Sequence, residues 1–375
     1  MTHSLPVAFI TSCRSDFAKL RPYISYFVKH RCPVSIFVTS MHVNSQLGMT
    51  REEMISYFPQ GVRFCWDESF PQQQPLSAMA HLLTSIDNFF TQEKIKFVFV
   101  HGDRMEAFAA ASTAAIRLLP ICQIEAGDVS GNIDESFRHA ITKLSHRFLV
   151  DSEVAKRRVL RLGEDPHSVF VTGSSAISLL PHKKRQKELL GSYHLPAEYA
   201  ILLCHPETGF SSREQYDHIA QLVRALNQLP LNFLVLPPNN DPGYTEILRA
   251  YQLLNAQQTL MLPSLSCETY LTLLNQAVCL VGNSSSSIKD APALGIPSIM
   301  LGSRQQNRAK GIRAPYYKVV QNAAEAAKWV DFFRTHSPKR MRQVVTAKNF
   351  EKKLEHIFTP EFFRPNIQKS FYDKR

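Results

Sequence analysis

The sequence predicts an α/β protein built from two Rossmann-like, doubly wound domains with an interdomain cleft. Short apolar runs rich in β-branched and aromatic residues alternate with helix-period stretches, which is the pattern of parallel βαβ units. The alternation restarts near residue 199, and a chain of 375 residues is long enough for two domains. Polar clusters follow several of the predicted strands, where open α/β sheets bind their ligands.

The first domain is predicted over residues 1–180. Helices are expected where apolar residues recur with a period of 3.6, most clearly at 77–93 and 104–118. The segment "LLPHKKRQKELLGSYHLPAEY" that follows is polar and contains Pro and Gly, so we interpret it as a linker. The predicted strands of this domain are 7–11, 34–39, 96–100, 121–125, 147–150 and 169–172.

The second domain is predicted over residues 195–350. A tail over 351–375 is expected to pack back across the hinge, with the last helices at about 322–335 and 338–356. The predicted strands are 199–204, 232–236, 259–262, 277–282 and 297–301. The predicted helices between them lie near 212–229, 243–255, 267–276 and 287–294.

Composition limits the classes of function. The formal net charge of +11 would suit nucleic acid, an anionic membrane surface or an anionic small molecule. The basic runs are short and no zinc-finger, RNP or zipper pattern is present, which disfavours nucleic acid. No apolar stretch approaches the ~20 residues of a membrane span. Seven scattered cysteines without a CxxC pair suit a reducing compartment, so we expect a cytoplasmic protein with no membrane partner.

The stretch "HGDR" at 101–104 ends a predicted strand and leads at once into an alanine-rich helix. Asp103 suits an acid, a base or a helix cap, and Arg104 suits bidentate binding of an anion. A cap alone explains Asp103 but leaves the flanking His101 and Arg104 unexplained. This position at a strand end therefore predicts a ligand site.

The loop after the first strand, "TSCRSDFAKL", places Arg14 between strand and helix, with Asp16 in the expected first helical turn. A first βα turn is the usual place for a phosphate or nucleotide contact. The alternative is that Arg14 is a surface residue and Asp16 a helix cap. The loop lacks GxGxxG, so a dinucleotide fingerprint is absent.

Glu125 ends a buried strand, which is a costly position for a carboxylate unless it is functional or paired. A loop with two glycines follows, and Asp134 then opens a helix that carries Arg138 and His139. Asp134 and Arg138 stand at i, i+4 and could form an ion pair, which would not exclude catalysis. We therefore regard this loop and helix as a second part of the site.

Four consecutive serines at 284–287 lie between a predicted strand and a predicted helix. Their hydroxyls and backbone N–H groups would suit a diphosphate, although no GK[ST] follows and the loop is not a P-loop. His205 and Asn239 each follow another strand of the same domain. The second domain thus presents its own polar groups at strand ends.

Several sequence blocks together resemble the UDP-N-acetylglucosamine 2-epimerases, and most closely the hydrolysing branch that supplies N-acetylmannosamine for sialic acid synthesis. The resemblance implies the GT-B architecture, with UDP bound in the interdomain cleft, and a homodimer. No metal-ligand spacing is evident in the sequence, so we expect no metal or other cofactor. The blocks that carry it are "HGDR", "IEAGDVSGNIDESFRHAITKLSH", "LGEDPHSVFVTGS" and "GNSSSSIKDAPALGIP".

The resemblance also implies roles for residues. It assigns the chemistry to the carboxylates of Asp103, Glu125 and Asp134, and it makes His205 the catalytic histidine of the second domain. The candidate substrate-binding residues, from the loops and the resemblance together, are Arg14, Arg104, Arg138, His139, Asn239, Ser284, Ser285, Ser286, Asp290 and Arg304.

The implied reaction removes the C2 proton of a UDP-N-acetylhexosamine, eliminates UDP from C1 and adds water to the resulting glycal. Which carboxylate is base and which is acid stays open. Two related alternatives are a 2-epimerase of UDP-N,N'-diacetylbacillosamine and a non-hydrolysing 2-epimerase, the second suggested by Glu-Ala-Gly at 125–127. Two alternatives from other classes are a GT-B glycosyltransferase and a catalytically silent nucleotide-sugar binder, the latter suggested by Gln123 and Ala126.

Overall fold

Two compact units make up the computed structural model, and each contains a parallel sheet with helices on its faces. Unit 1 comprises Met1–Ser178 and Ala347–Arg375, and unit 2 comprises Leu179–Thr346. The alternation of parallel strands and helices in both units confirms the predicted α/β, doubly wound fold class. The residues that the structure describes are 5–44, 50–71, 74–129, 134–191, 193–207, 209–239, 243–263, 265–302, 304, 317–336 and 347–373.

Unit 1 contains a seven-stranded sheet, in the order β3-β2-β1-β4-β5-β6-β7, whose neighbouring strands pair in parallel. The strands are β1 Val7–Thr11, β2 Val34–Val38, β3 Val62–Trp66, β4 Phe97–His101, β5 Ile121–Ile124, β6 Arg147–Val150 and β7 Val169–Val171. The helices between them are α1 Arg14–Lys29, α2 Arg51–Tyr57, α3 Pro75–Gln92, α4 Met105–Ile116, α5 Asp134–Leu144 and α6 Glu153–Arg161.

Unit 2 contains a six-stranded sheet, in the order β10-β9-β8-β11-β12-β13, again with parallel neighbours. The strands are β8 Tyr199–Leu203, β9 Asn232–Val235, β10 Thr259–Met261, β11 Leu280–Gly282, β12 Ser298–Leu301 and β13 Tyr317–Val320. The helices are α7 Lys183–Leu190, α8 Ser212–Leu226, α9 Tyr244–Tyr251, α10 Cys267–Gln276, α11 Asp290–Leu294 and α12 Ala323–Thr335.

The core of unit 1 lies around its central strands. Every residue of β1 and β4 is buried, as expected for parallel strands that are covered on both faces. The small side chains of Ala109, Ala110 and Ala111 let helix α4 pack closely against this sheet, which explains the alanine-rich composition that follows "HGDR".

None of the helices in the described part of the chain is long and apolar enough to cross a membrane.

The C-terminal segment 347–373 packs onto unit 1 and begins with helix α13, Ala347–Ile357. The buried ring of Phe350 meets Tyr23 edge-on with centroids 5.3 Å apart. Phe358 stacks on Phe27 at 5.2 Å. Aromatic pairs of this geometry add to the burial of their area, so the segment forms part of the core of unit 1.

Two strands, β3 and β13, were missed by the pattern of apolar runs. Both lie at an edge of their sheet and are only partly buried, so they lack the continuous apolar sequence of the central strands. The segment expected to be a linker contains α7, which packs on α10 within unit 2. The helix expected at 287–294 is a 3₁₀ turn, Ser285–Ser287, followed by the short α11.

The strand order places a topological switch point in each sheet. In unit 1, β1 lies beside β4, and their connections run in opposite directions across the sheet. In unit 2, β8 and β11 have the same relation. The loops at the carboxyl ends of such strand pairs diverge and leave the crevice in which open α/β sheets bind ligands. His101, at the end of β4, and His205, just after β8, lie at these two positions.

Gly282→Ala should destabilise unit 2 far more than Gly209→Ala. Both glycines have positive φ, so alanine costs roughly 1–2 kcal/mol at either position. A Cβ at Gly282 would lie 1.9 Å from the Leu203 carbonyl oxygen, whereas no atom lies within 4 Å at Gly209. Overpacking should cost Gly282→Ala roughly 1–3 kcal/mol more.

The measurement is urea unfolding of both variants in a Trp66→Phe background, where Trp329 of unit 2 is the remaining tryptophan. Equal losses of stability in the two variants would contradict the close backbone approach at Gly282.

Candidate active site

The candidate site of unit 1 lies at the carboxyl edge of β1, β4 and β5. His101 is the last residue of β4, and Glu125 directly follows β5. Asp103 lies two residues beyond His101, in the turn before α4. Because these strands are neighbours in the sheet, residues that are distant in sequence meet at this edge.

Four charged side chains form a buried chain at this edge, which we call the switch-point cluster: Asp16, Lys19, His101 and Glu125. Asp16 accepts a hydrogen bond from the Ser12 hydroxyl at 2.7 Å and faces His101 Nδ1 at 3.2 Å. His101 Nε2 lies 3.4 Å from Glu125 Oε2, and Lys19 Nζ donates to the same oxygen at 2.8 Å. The cluster therefore contains two carboxylates and two groups that can be cationic.

The protonation states of this cluster follow from its pairing. Burial alone would lower the pKa of His101, but its contacts with Asp16 and Glu125 outweigh that effect and raise the pKa. Burial would likewise raise the pKa of Asp16, but the hydrogen bond from His101 and its charge lower it below the usual range. An imidazolium beside an ionised Asp16 is thus favoured. No group of three or more His, Cys, Asp or Glu among the described residues is arranged to hold a metal ion.

The backbone of Glu125 has a φ of +59°, an unusual value for a residue with a side chain. Its N–H donates to the Leu149 carbonyl at 2.9 Å, which fixes the start of the loop after β5. Gly127, two residues later, has a φ of +73°, and a Cβ there would lie 2.3 Å from the Ala155 carbonyl oxygen. The tight turn is thus held by backbone contacts with neighbouring elements, and strained conformations of this kind concentrate at functional sites.

Arg138 links the Asp103 carboxylate to the backbone of Glu125 at this edge. It is 2% exposed, donates from Nη2 to Asp103 and contacts the Glu125 carbonyl oxygen from Nη1 at 3.4 Å. Its Nη1 also lies 3.9 Å from Asp128. The i, i+4 spacing suggested Asp134 as the partner, but the ion pairs seen for Arg138 are with Asp103 and Asp128. Arg104 occupies the N-cap position of α4 and its side chain forms no cap hydrogen bond, so Asp103 is not the helix cap.

The other polar residues predicted in unit 1 lie around this edge. Arg14 pairs with Glu53 at 3.0 Å with 43% of its side chain exposed, and Arg104 contacts Glu106 at 3.3 Å with 41% exposed. Both guanidinium groups are therefore accessible to an anion. Asp134 is the first residue of α5 and is half-buried. His139, one turn further along α5, lies 3.5 Å from Glu135.

In unit 2, His205 is held as a neutral imidazole at the switch point. The Asn239 backbone N–H donates to His205 Nδ1 at 3.0 Å, which places the ring proton on Nε2. Burial, reinforced by the charge of Arg304, lowers the pKa of His205 to about 3. A neutral ring of this kind offers an N–H donor from Nε2. It does not offer the charged acid that an ordinary histidine provides near neutral pH.

Asn283 connects the two loops of the unit 2 switch point. Its Oδ1 accepts from the His205 N–H at 2.7 Å, and its Nδ2 donates to the His205 carbonyl at 2.8 Å. The same Nδ2 lies 3.3 Å from Glu207 Oε1. Arg304 donates to the Pro206 carbonyl at 3.1 Å and to the Asn283 carbonyl at 3.4 Å. These bonds fix the backbone on which His205 stands.

The serine run is mostly buried. Ser284 caps the 3₁₀ turn by accepting from the Ser286 N–H at 3.3 Å, and the Ser286 hydroxyl bonds to Tyr270. Ser287 is fully buried, and its carbonyl accepts from Ser298 at 2.6 Å. Ser285 is half-buried, as is Asp290 at the start of α11. Among the four serine hydroxyls, that of Ser285 is therefore the most accessible to a ligand.

Sequence reasoning did not place several residues that build these clusters. His101 had a signal, because it stands at a strand end directly before a glycine. Its position in the first helical turn suggests that Asp16 is a helix cap, but Asp16 contacts His101 instead. Lys19 had no signal, because its contact with Glu125 spans 106 residues. Asn283 and Glu207 flank predicted motifs but had been given no role.

Acid should destabilise unit 2 through His205. Because its folded pKa, about 3, lies below the ordinary value of 6.5, the unfolded chain binds more protons between those pH values. The free energy of unfolding of unit 2 should therefore fall as the pH drops from 6.5 toward 4. Asparagine can keep an acceptor near Nδ1 without titrating, so His205→Asn should lose less stability over this interval.

The measurement is urea unfolding at pH 7.5 and 4.5, followed by Trp329 in a Trp66→Phe background. The control is His42→Asn in unit 1, where burial lowers the pKa of His42 to about 4. This control should leave the acid response of unit 2 unchanged. If the free energy of unfolding fell equally in His205→Asn and its parent between pH 7.5 and 4.5, His205 would not be the group that destabilises unit 2 in acid.

Comparison with known proteins identifies a family. Residues 28–350 match the model of the UDP-N-acetylglucosamine 2-epimerase family. The chain is 33% identical to the UDP-N-acetylglucosamine 2-epimerase of Neisseria meningitidis serogroup B, and the match covers 97% of this chain and 98% of the relative. It is 30% identical to polysialic acid biosynthesis protein P7 of Escherichia coli, covering 84% and 83% of the two chains.

A further relative is the hydrolysing UDP-N,N'-diacetylbacillosamine 2-epimerase of Legionella pneumophila. It is 27% identical and the match covers 81% of this chain and 82% of the relative. Among solved structures, a UDP-N-acetylglucosamine 2-epimerase from Listeria monocytogenes described as putative superposes with a TM-score of 0.75 at 17% identity, covering 94% and 95% of the chains. That likeness establishes the shared fold.

Proposed function

Because the chain belongs to the UDP-N-acetylglucosamine 2-epimerase family, we propose that it is a hydrolysing 2-epimerase that converts UDP-N-acetylglucosamine and water into N-acetylmannosamine and UDP. The observation that carries the proposal is that Asp103 and Glu125 lie together at the carboxyl edge of the unit 1 sheet, where the buried Arg138 pairs with the Asp103 carboxylate and contacts the Glu125 backbone carbonyl. The names of the Escherichia coli and Legionella relatives support the hydrolysing branch and a product used for sialic acids.

In this proposal a carboxylate of unit 1 removes the proton from C2 of the sugar. The C1–O bond to UDP breaks, and a C1–C2 double bond forms as the electron pair moves. Water then adds its oxygen to C1, and a proton returns to C2 on the opposite face. Asp103, Glu125 and Asp134 are the candidates for base and acid, since a general base must first lie within reach of its proton.

The departing diphosphate needs positive charge and hydrogen-bond donors. We assign the nucleotide to residues of unit 2: Asn239, the serine run 284–286, Asp290 and Arg304. The neutral His205 would donate from Nε2 to an anionic oxygen of the substrate. The exposed guanidinium groups of Arg14 and Arg104 would add charge from unit 1. His139 would form a further contact with the substrate. We also propose a cytoplasmic homodimer, because the scattered cysteines suit a reducing compartment and the resemblance implies a dimer.

Proton NMR of the reaction in heavy water tests the activity. We expect UDP-N-acetylglucosamine to yield free N-acetylmannosamine and UDP, with solvent deuterium at C2, because the abstracted proton exchanges before its return. Recovery of UDP-N-acetylmannosamine as the sole product would show the non-hydrolysing reaction instead. Sugar transfer to an acceptor without exchange at C2 would establish a glycosyltransferase, and tight UDP binding without turnover would indicate a silent binder.

The Legionella relative favours a second candidate substrate, UDP-N,N'-diacetylbacillosamine. A side-by-side comparison of kcat/KM for the two UDP-sugars decides between them. A preference of tenfold or more for the diacetamido sugar, which corresponds to about 1.4 kcal/mol in the transition state, would reassign the substrate.

Glu125→Gln and Arg304→Met should separate chemistry from nucleotide binding. Loss of the carboxylate should lower kcat by about 10²-fold or more, with the Kd for UDP within roughly threefold of wild type. Loss of the guanidinium should weaken UDP binding by about tenfold, because charge-assisted bonds to phosphate are strong. Glu153→Gln, at an exposed position of α6, serves as the control and should change neither value. A Glu125→Gln variant with wild-type kcat would remove Glu125 from the mechanism.

A further inference from the structure

We propose that His101, whose Nδ1 faces the Asp16 carboxylate, is a positioning residue that fixes the Glu125 carboxylate for the reaction. This inference rests on the proposed function, in which Glu125 acts on the sugar. Both ring nitrogens of His101 face carboxylates, so its role is exerted through Glu125.

The sheet and two carboxylates set the position of the His101 ring. His101 is the last residue of β4, in register with Ile124 of β5, so both its backbone and that of the Glu125 loop are set by the sheet. The two ring nitrogens of His101 face two different carboxylates, Asp16 at 3.2 Å and Glu125 at 3.4 Å. The Ser12 hydroxyl donates to the other oxygen of Asp16 and holds it against the ring. The ring is therefore fixed at Nδ1 and presents Nε2 to Glu125.

Charge compensation also ties His101 to Glu125. Glu125 is 4% exposed, and a buried carboxylate without compensation is costly. His101 and Lys19 converge on its Oε2, and Asp16 compensates the second cation. Among the described residues, His101 Nε2 forms no hydrogen bond of good geometry, so its remaining interaction is the ionic one with Glu125. Catalytic contacts that are long without substrate can tighten once the site is filled.

A kinetic double-mutant cycle with UDP-N-acetylglucosamine tests the proposal. His101→Gln should lower kcat by roughly 30- to 100-fold and Asp16→Asn by roughly tenfold, as for other residues that orient a catalytic group. KM should stay within about threefold in both variants. Because Asp16 acts through His101, the double variant should resemble His101→Gln alone.

The matched control is His146→Gln. His146, like His101, is 7% exposed in unit 1, but it precedes β6 at the opposite edge of the sheet and contacts the Ile121 N–H and the Ile367 carbonyl. Its loss should lower thermal stability and leave kcat within about twofold. Effects of Asp16→Asn and His101→Gln that multiply, or a loss confined to KM, would overturn the proposal.

A second measurement does not depend on turnover. In protein labelled with ¹⁵N-histidine, the His101 signals, identified by their loss in His101→Gln, should show both ring nitrogens protonated at pH 7.5. Asp16→Asn should shift them toward a neutral ring. A neutral ring in the wild type would overturn the inference, whereas absence of N-acetylmannosamine release with a protonated ring would count against the proposed function alone.

Discussion

A buried carboxylate at the end of a parallel strand needs cationic groups close to it, because its negative charge is costly away from water. In unit 1 this carboxylate is Glu125. Glu125 receives Lys19 from helix α1 and His101 from β4, and Asp16 balances the second cation. The three elements involved are joined by the strand order β1-β4-β5, so the compensation depends on the sheet topology. Removal of one member would leave a buried charge without its partner, which costs more than the pair itself contributes.

Unit 2 controls a titratable group at its own switch point in a different way. There a backbone N–H donates to the imidazole of His205, which keeps the ring neutral, and the side chain of Asn283 clamps the adjoining backbone. Unit 1 thus favours a charged histidine through carboxylates, whereas unit 2 favours a neutral one through burial, reinforced by the charge of Arg304. Both histidines lie at the switch point of their sheet, His101 at the end of the second strand of the pair and His205 after the first, but they are suited to opposite tasks.

The central strands and the loops that follow them could be predicted from sequence, because burial on both faces imposes apolar runs and polar clusters interrupt them. The edge strands β3 and β13 could not, since partial exposure removes that signal. Asp103 and Glu125 were placed at the edge by their position after strands. The partners of these carboxylates depend on long-range contacts that the sequence does not reveal. Local spacing suggested Asp134 as the ion-pair partner of Arg138, whereas in the folded chain Arg138 pairs with Asp103 and Asp128.

The return of segment 347–373 to unit 1 makes that unit discontinuous, with unit 2 inserted between its two parts. During synthesis the rings of Tyr23 and Phe27 leave the ribosome long before Phe350 and Phe358 can cover them. The nascent first half therefore carries an uncovered aromatic surface while about 170 residues of the inserted unit are made, a period of roughly 10–30 s at about 5–20 residues per second. Unit 2 can complete its own sheet during that interval, before unit 1 receives its C-terminal part.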